Sequence, residues 1–251
     1  MKLFGVINAS PDSRHKQSIV TSSEEALKRA HWLLNSGADF LDLGGQGSTD
    51  DAFVVSPDLE WLRLQEILPS LAQLKVPMSI DTWKPEVAKK ALDAGATIIN
   101  AADGLQNEEM LQLAVEKNCL VVLPFLSGPD PRHMEKVQGD PISVLLKWFE
   151  KAIKRASALK IDHNLILDPG TVFAPPTWPW EERYAYQKCV YQNLFQLKCF
   201  HLPIYVSLPW KETDQHKELL DIILSQNIDY GRCHHPDRIR AAEQKLLGKN
   251  T

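Results

Sequence analysis

Two carboxylates, Asp81 and Asp168, stand where short apolar runs stop, and so do the amides Asn8 and Asn100, the hydroxyl of Ser207, and the segment Arg232-Cys233-His234. Carboxylates and amides that leave water need hydrogen-bond partners, and a ligand with several N–H donors supplies them. The plainer reading of a lone aspartate is a helix N-cap or a loop carboxylate bonded to backbone N–H groups. Two aspartates and two asparagines at run ends shift the balance toward one shared cavity. The stretch Gly44-Gly45-Gln46-Gly47-Ser48-Thr49 begins like a dinucleotide fingerprint, but Asp50 stands where the third glycine belongs, so a nicotinamide site is not expected. A loop that lets backbone approach a ligand closely is the better reading. His31, His133, His163, His201 and His216 lack paired ligand spacing and read as surface or packing residues. His234 and His235 point different ways from a strand end, which leaves only His234 as a site residue.

These groups need elements to hold them. Eight apolar runs of strand length alternate with segments of helical period: Leu3 to Asn8, Phe40 to Gly44, Pro77 to Asp81, Thr97 to Asn100, Leu120 to Phe125, Leu165 to Asp168, Ile204 to Ser207 and Ile228 to Arg232. Helices are expected near 22–36, 57–74, 84–94, 107–117, 140–159, 179–198, 215–226 and 236–247. Ser22 to Glu25 has capping-box spacing, Pro57 and Pro85 suit first turns, and Gly37 and Gly95 suit the left-handed residue after a helix. Strands apolar at nearly every position belong to a parallel sheet covered by helices. Eight β-α units of about 30 residues match a closed α/β (β/α)8 TIM barrel, one domain over residues 1–251. In that fold the carboxyl ends of the strands carry the site.

The chain has 251 residues, 44% of them hydrophobic, with 28 Lys+Arg against 32 Asp+Glu and a formal net charge of −4. That is an ordinary globular composition. The weak negative balance offers no field for nucleic acid or an anionic membrane surface, so an anionic ligand must be held by a few placed groups. No apolar run approaches the roughly 20 residues needed to span a bilayer, and Leu-Phe-Gly-Val-Ile before Asn8 is too short for a signal peptide. Cys119, Cys189, Cys199 and Cys233 show no C-x-x-C pair, so a zinc site or disulfide framework is not expected and a reducing cytoplasm fits. Trp178-Pro179-Trp180 with Tyr184 and Tyr186 reads as outer packing or a subunit contact. Residues 127–139 read as a long connection able to act as a lid.

The segments Asn8-Ala9-Ser10-Pro11-Asp12-Ser13, Gly44 to Thr49, Ser79-Ile80-Asp81-Thr82-Trp83-Lys84, Ala94 to Asn100 and Ile166-Leu167-Asp168-Pro169-Gly170 resemble the dihydropteroate synthase family, in that family's order. The resemblance implies a (β/α)8 barrel of folate biosynthesis, a transferase that joins 6-hydroxymethyl-7,8-dihydropterin diphosphate to p-aminobenzoate and releases diphosphate. It implies that Asp168 receives the pterin's 2-amino and ring N–H donors, with Asp81 and Asn100 completing the polar edge and Ser207 and Thr49 among the substrate contacts. It implies further that Asn8 binds a diphosphate-bound Mg2+, that Arg232 and His234 form the anion site on the last strand, and that the protein is a homodimer.

The sequence departs from that family in its loops. Arg14-His15-Lys16-Gln17 replaces an aromatic and glycines in the first loop, and Asp50-Asp51-Ala52 replaces Arg-Pro in the second. Ser207-Leu208-Pro209-Trp210-Lys211 replaces Ser-Arg-Lys after the seventh strand, so Lys211 substitutes for the family lysine only if that loop reshapes. The pterin positions are kept while the arylamine side is altered, and p-aminobenzoate is expected to bind poorly. Three readings stay open: a divergent synthase, a paralogue that binds a pterin or folate without synthase activity or uses it in methyl transfer, and a structural or regulatory barrel.

Overall fold

A computed structural model of the chain describes residues 1–11, 13, 15–47, 53–173 and 178–248. Thr49, expected at the substrate site, lies outside the described residues, as do Asp12, Arg14, Ser48, Asp50, Asp51 and Ala52. The strands are β1 (Lys2–Asn8), β2 (Phe40–Gly44), β3 (Met78–Thr82), β4 (Ile98–Ala101), β5 (Leu120–Pro124), β6 (Leu165–Asp168), β7 (Tyr205–Ser207) and β8 (Tyr230–Cys233). All pairings are parallel and sequential, and β8 returns to pair with β1. A parallel bridge between Leu167 and Ile204, with Leu167 N donating to Pro203 O at 2.8 Å, joins β6 to β7 and completes the ring. The expected eight-stranded barrel is what the chain forms.

The helices outside the barrel are α1 (Ser23–Asn35), α2 (Pro57–Leu64), α3 (Ile67–Ala72), α4 (Pro85–Asp93), α5 (Glu108–Lys117), α6 (Pro141–Ala158), α7 (Trp180–Gln192), α8 (Asp214–Ser225) and α9 (Pro236–Leu247). Ser22 accepts the Glu25 N–H at 3.2 Å, and Pro57 and Pro85 occupy first turns. Gly37 and Gly95 take φ of +102° and +116° after α1 and α4, as their positions predict. Two segments differ from the sequence reading. The single helix expected over 57–74 is two, because Pro69 has no N–H and its ring crowds the carbonyl four residues back, at Gln65, where the helix breaks. The helix expected over 179–198 ends at Gln192 and gives way to 3-10 turns over Leu194–Phe200. Asn193 turns its amide back to the Cys189 carbonyl at 2.8 Å, the kind of side-chain bond that competes with helix continuation.

Side chains two residues apart on a strand face the same way, and that period builds the barrel interior in layers. Phe4, Ile98, Val122, Ile166 and Tyr205 pack together with Phe40 and Tyr230 as an apolar layer, with Phe4 stacked on Phe40 at 4.5 Å between ring centroids. Moving two residues toward the carboxyl ends replaces Phe40 by Asp42, Ile98 by Asn100, Ile166 by Asp168, Tyr205 by Ser207 and Tyr230 by Arg232. An apolar floor thus carries a polar layer directly above it.

Candidate functional site

Arg232 on β8 anchors the polar layer. Its Nε donates to Asp42 Oδ2 at 2.6 Å and its Nη2 to Asp81 Oδ2 at 2.9 Å. Asp42 is completely buried, and its other oxygen accepts from the Ser79 hydroxyl and, at 3.5 Å, from Asn100 Nδ2. Burial alone would lower the arginine's pKa, but Asp42 and Asp81 hold the guanidinium above its ordinary value. The anion site expected at Arg232 is therefore shared with two carboxylates. Two of its nitrogens serve carboxylates, and Nη1 alone has no such partner among the described residues.

Burial pushes Asp81 up to about 7, against the pull of Arg232 and with help from Asp42. Burial also raises Asp168 to about 7, opposed by the Gly170 N–H and by Arg232. Carboxyls perturbed in this way mark a functional site. The Asp168 carboxyl is aimed by its own loop, because Gly170 N donates to Oδ1 at 2.9 Å. Gly170 holds φ of +64°, and a Cβ there would lie 2.0 Å from the Phe125 carbonyl oxygen. Gly170→Ala is thus expected to cost at least ~1–2 kcal/mol from the left-handed backbone alone and more from the clash, read as a lower denaturant midpoint. An unchanged midpoint would show that the loop relaxes freely.

On β1, Asn8 donates through Nδ2 to Ser13 Oγ at 3.0 Å and Ser18 Oγ at 2.7 Å. Ser18 gives its own proton to the His15 carbonyl at 2.7 Å, so it must accept from Asn8. That fixes the amide orientation and leaves Oδ1 as the atom able to bind a cation. Among the described residues no three His, Cys, Asp or Glu side chains converge into a metal cage.

His234 is stacked on His15 at 4.2 Å, and His15 Nε2 lies 3.1 Å from His235 Nε2. Trp210 meets the His15 ring edge-on at 5.2 Å. His235, read from the sequence as facing elsewhere, therefore joins His234 through His15. Burial, then the neighbouring Arg232, lowers His234 to about 2; burial and then His235 lower His15 to about 4. These imidazoles are neutral at physiological pH and supply hydrogen bonds and ring faces, not charge.

A cavity of about 490 Å³ opens above the polar layer, lined by Asn8, Asp81, Ser207, Lys211, Arg232 and His234 among others. It thus gathers most of the expected site residues, while Asn100 and Asp168 sit in the same layer. The sequence reading missed Asp42, His15, and three lining residues of α7: Arg183, Gln187 and Tyr191. It also placed Trp180 on the outside, whereas Trp180 lines the cavity with its ring stacked on His216 at 4.6 Å. None of residues 127–139 is among the residues that line it. Behind Gly45, Lys84 Nζ reaches Glu60 at 2.6 Å and Gln46 at 2.5 Å, a buried ion pair that holds the Gln46 side chain.

Comparison with known proteins adds to this geometry. A family model described as pterin binding enzyme matches residues 4–206, a span that contains Asn8, Asp42, Asp81, Asn100 and Asp168 and stops before Ser207. The dihydropteroate synthase of Bacillus subtilis is 33% identical over 174 residues, 68% of this chain and 59% of that protein. A probable bifunctional folylpolyglutamate synthase/dihydropteroate synthase of Haloferax volcanii is 31% identical over 173 residues, 68% of this chain and 21% of that protein. The match thus spans less than two thirds of either relative's length. Over nearly the whole chain, the crystal structure of dihydropteroate synthase from Thermus thermophilus in complex with 4-aminobenzoate superposes with a TM-score of 0.80 at 25% identity, covering 98% of this chain and 93% of that one.

Proposed function

Since the chain belongs to the pterin binding enzyme family, we propose that it is a synthase of folate biosynthesis that joins 6-hydroxymethyl-7,8-dihydropterin diphosphate to 4-aminobenzoate. The observation that carries this reading is the polar layer itself: Asp168, Asp81 and Asn100 together beneath a 490 Å³ cavity, over an apolar floor. A pterin is a flat heterocycle with one edge rich in N–H donors, and this arrangement suits it. Asp168, aimed by Gly170, accepts the 2-amino and ring N–H groups. Asp81 and Asn100 meet the rest of the edge, and Ser207 is among the substrate contacts.

In the reaction, the C–O bond to diphosphate breaks, and the arylamine nitrogen forms the new C–N bond and gives up one proton. Charge grows on the leaving group, so its stabilisation governs the rate. Arg232, held flat by Asp42 and Asp81, presents its remaining N–H groups, and His234 lends a neutral ring nitrogen. Asn8 Oδ1 is the oxygen that would hold Mg2+, which would supply positive charge against the leaving diphosphate. Removal of Mg2+ should therefore weaken binding of the diphosphate ester and leave the free pterin alcohol unaffected, by calorimetric titration. Equal losses for both ligands would remove Asn8 from this role.

The same reading places one pterin-binding domain in a reducing cytoplasm as a homodimer. No residue pair among its four cysteines is disulfide-bonded, and no described helix is long and apolar enough to cross a membrane. Growth of a strain lacking dihydropteroate synthase, rescued by this chain, tests the reading. Failure to rescue with pterin binding retained would favour the paralogue that binds without synthesis.

A further inference from the structure

Besides Asn8 of β1, the cavity is lined by Trp180 and Arg183 of α7 and by Trp210 and Lys211 of the loop after β7. Arg183 is half-buried, its Nε is buried without a hydrogen-bond partner, and no carboxylate lies within ion-pair distance of it among the described residues. Lys211 has no ion pair among the described residues either, and its ammonium lies 5.7 Å from the Trp210 ring centroid. The Arg183 guanidinium lies 5.5 Å from the Trp180 ring centroid. Both cations act on the same imidazole, His216, which burial and then Lys211 and Arg183 lower from its ordinary value. Trp180 is held in place by its indole N–H bond to Gln215 and its stacking on His216.

Two cations without carboxylate partners among the described residues, set among indole faces, make a surface for a flat anion. A diphosphate would gain little from the indoles, but an aromatic acid uses both features. We infer that Arg183 is the residue that selects the second substrate: with Lys211 it takes the carboxylate of an arylamine whose ring is covered by Trp210 and Trp180. This rests on the synthase reading above and gives the altered loops a purpose, because Trp210 and Trp180 supply the apolar cover that the first loop lacks.

The test is a calorimetric titration of the whole chain saturated with 6-hydroxymethylpterin, against 4-aminobenzoate, aniline and inorganic diphosphate in turn. Arg183→Gln should weaken 4-aminobenzoate by about tenfold or more, the scale of one charged hydrogen bond, and leave aniline and diphosphate unchanged. Arg183→Lys should recover part of the loss. Equal 4-aminobenzoate affinity in the Gln variant, no 4-aminobenzoate binding by the unaltered chain, or a matching loss for diphosphate would each overturn the assignment. Absence of pterin binding would instead overturn the synthase reading beneath it.

Discussion

Replacing Arg232 with methionine should cost on the order of 3–5 kcal/mol of folding free energy, the range for removing one partner of a buried ion pair. The partner left behind is decisive. Asp42 is completely buried, and without the guanidinium its charge keeps only the Ser79 hydroxyl and a long contact to Asn100. Asp81 loses the cation that now pulls its pKa down, so it is driven further toward the neutral acid. Asp42→Asn combined with Arg232→Met should be milder than Arg232→Met alone, because the orphaned charge goes with its partner. Denaturant midpoints at unchanged slope measure all of this. A loss below ~1 kcal/mol for the single variant would mean that water or another group already satisfies Asp42.

Asp168→Asn should weaken pterin binding by ~1.5–3 kcal/mol, the value of a hydrogen bond to a charged group, which is roughly tenfold to 150-fold. The pH dependence follows from the same carboxyl. Asp168 accepts two N–H donors only as the anion, and burial raises it to about 7. Affinity should be level above that pH and fall by up to about tenfold per unit below it. Asp168→Asn should flatten the part of this dependence that belongs to Asp168, leaving any part due to Asp81. The unliganded protein should show the opposite trend. Asp81 and Asp168 both hold protons more tightly when folded, so their contribution to stability is full below the ordinary carboxylate range and is lost as pH rises toward 7. A flat affinity profile in the unaltered chain would remove Asp168 from the pterin edge.

The alternation of short apolar runs with helical segments was enough to read the barrel, because each run is a whole strand and every strand-end residue marks one rim. Asp81, Asn100, Asp168, Ser207 and Arg232 were legible for the same reason. Asp42 was not, since it lies inside its strand, and attention to strand ends passes over it. Its signal was nevertheless present: Phe40, Asp42 and Gly44 share one face of β2, and a charge on an otherwise apolar strand demands a partner. That partner, Arg232, is 190 residues away along the chain, a pairing that only the closure of β8 against β1 brings about. His15 and Arg183 were hidden differently, because a loop histidine and a helix arginine carry no period that says which way they face. Pro69 did announce the break in the second helix, four residues ahead of itself.

The most direct measurement is a titration of the purified chain with 6-hydroxymethyl-7,8-dihydropterin diphosphate and Mg2+, followed by addition of 4-aminobenzoate while diphosphate release is recorded. The ester should bind alone, and steady diphosphate release should begin only when 4-aminobenzoate is present, with Asp168→Asn needing roughly tenfold to 150-fold more ester for half its rate. A folded protein that shows no affinity for the ester at millimolar concentration would contradict the assignment of this site to a pterin.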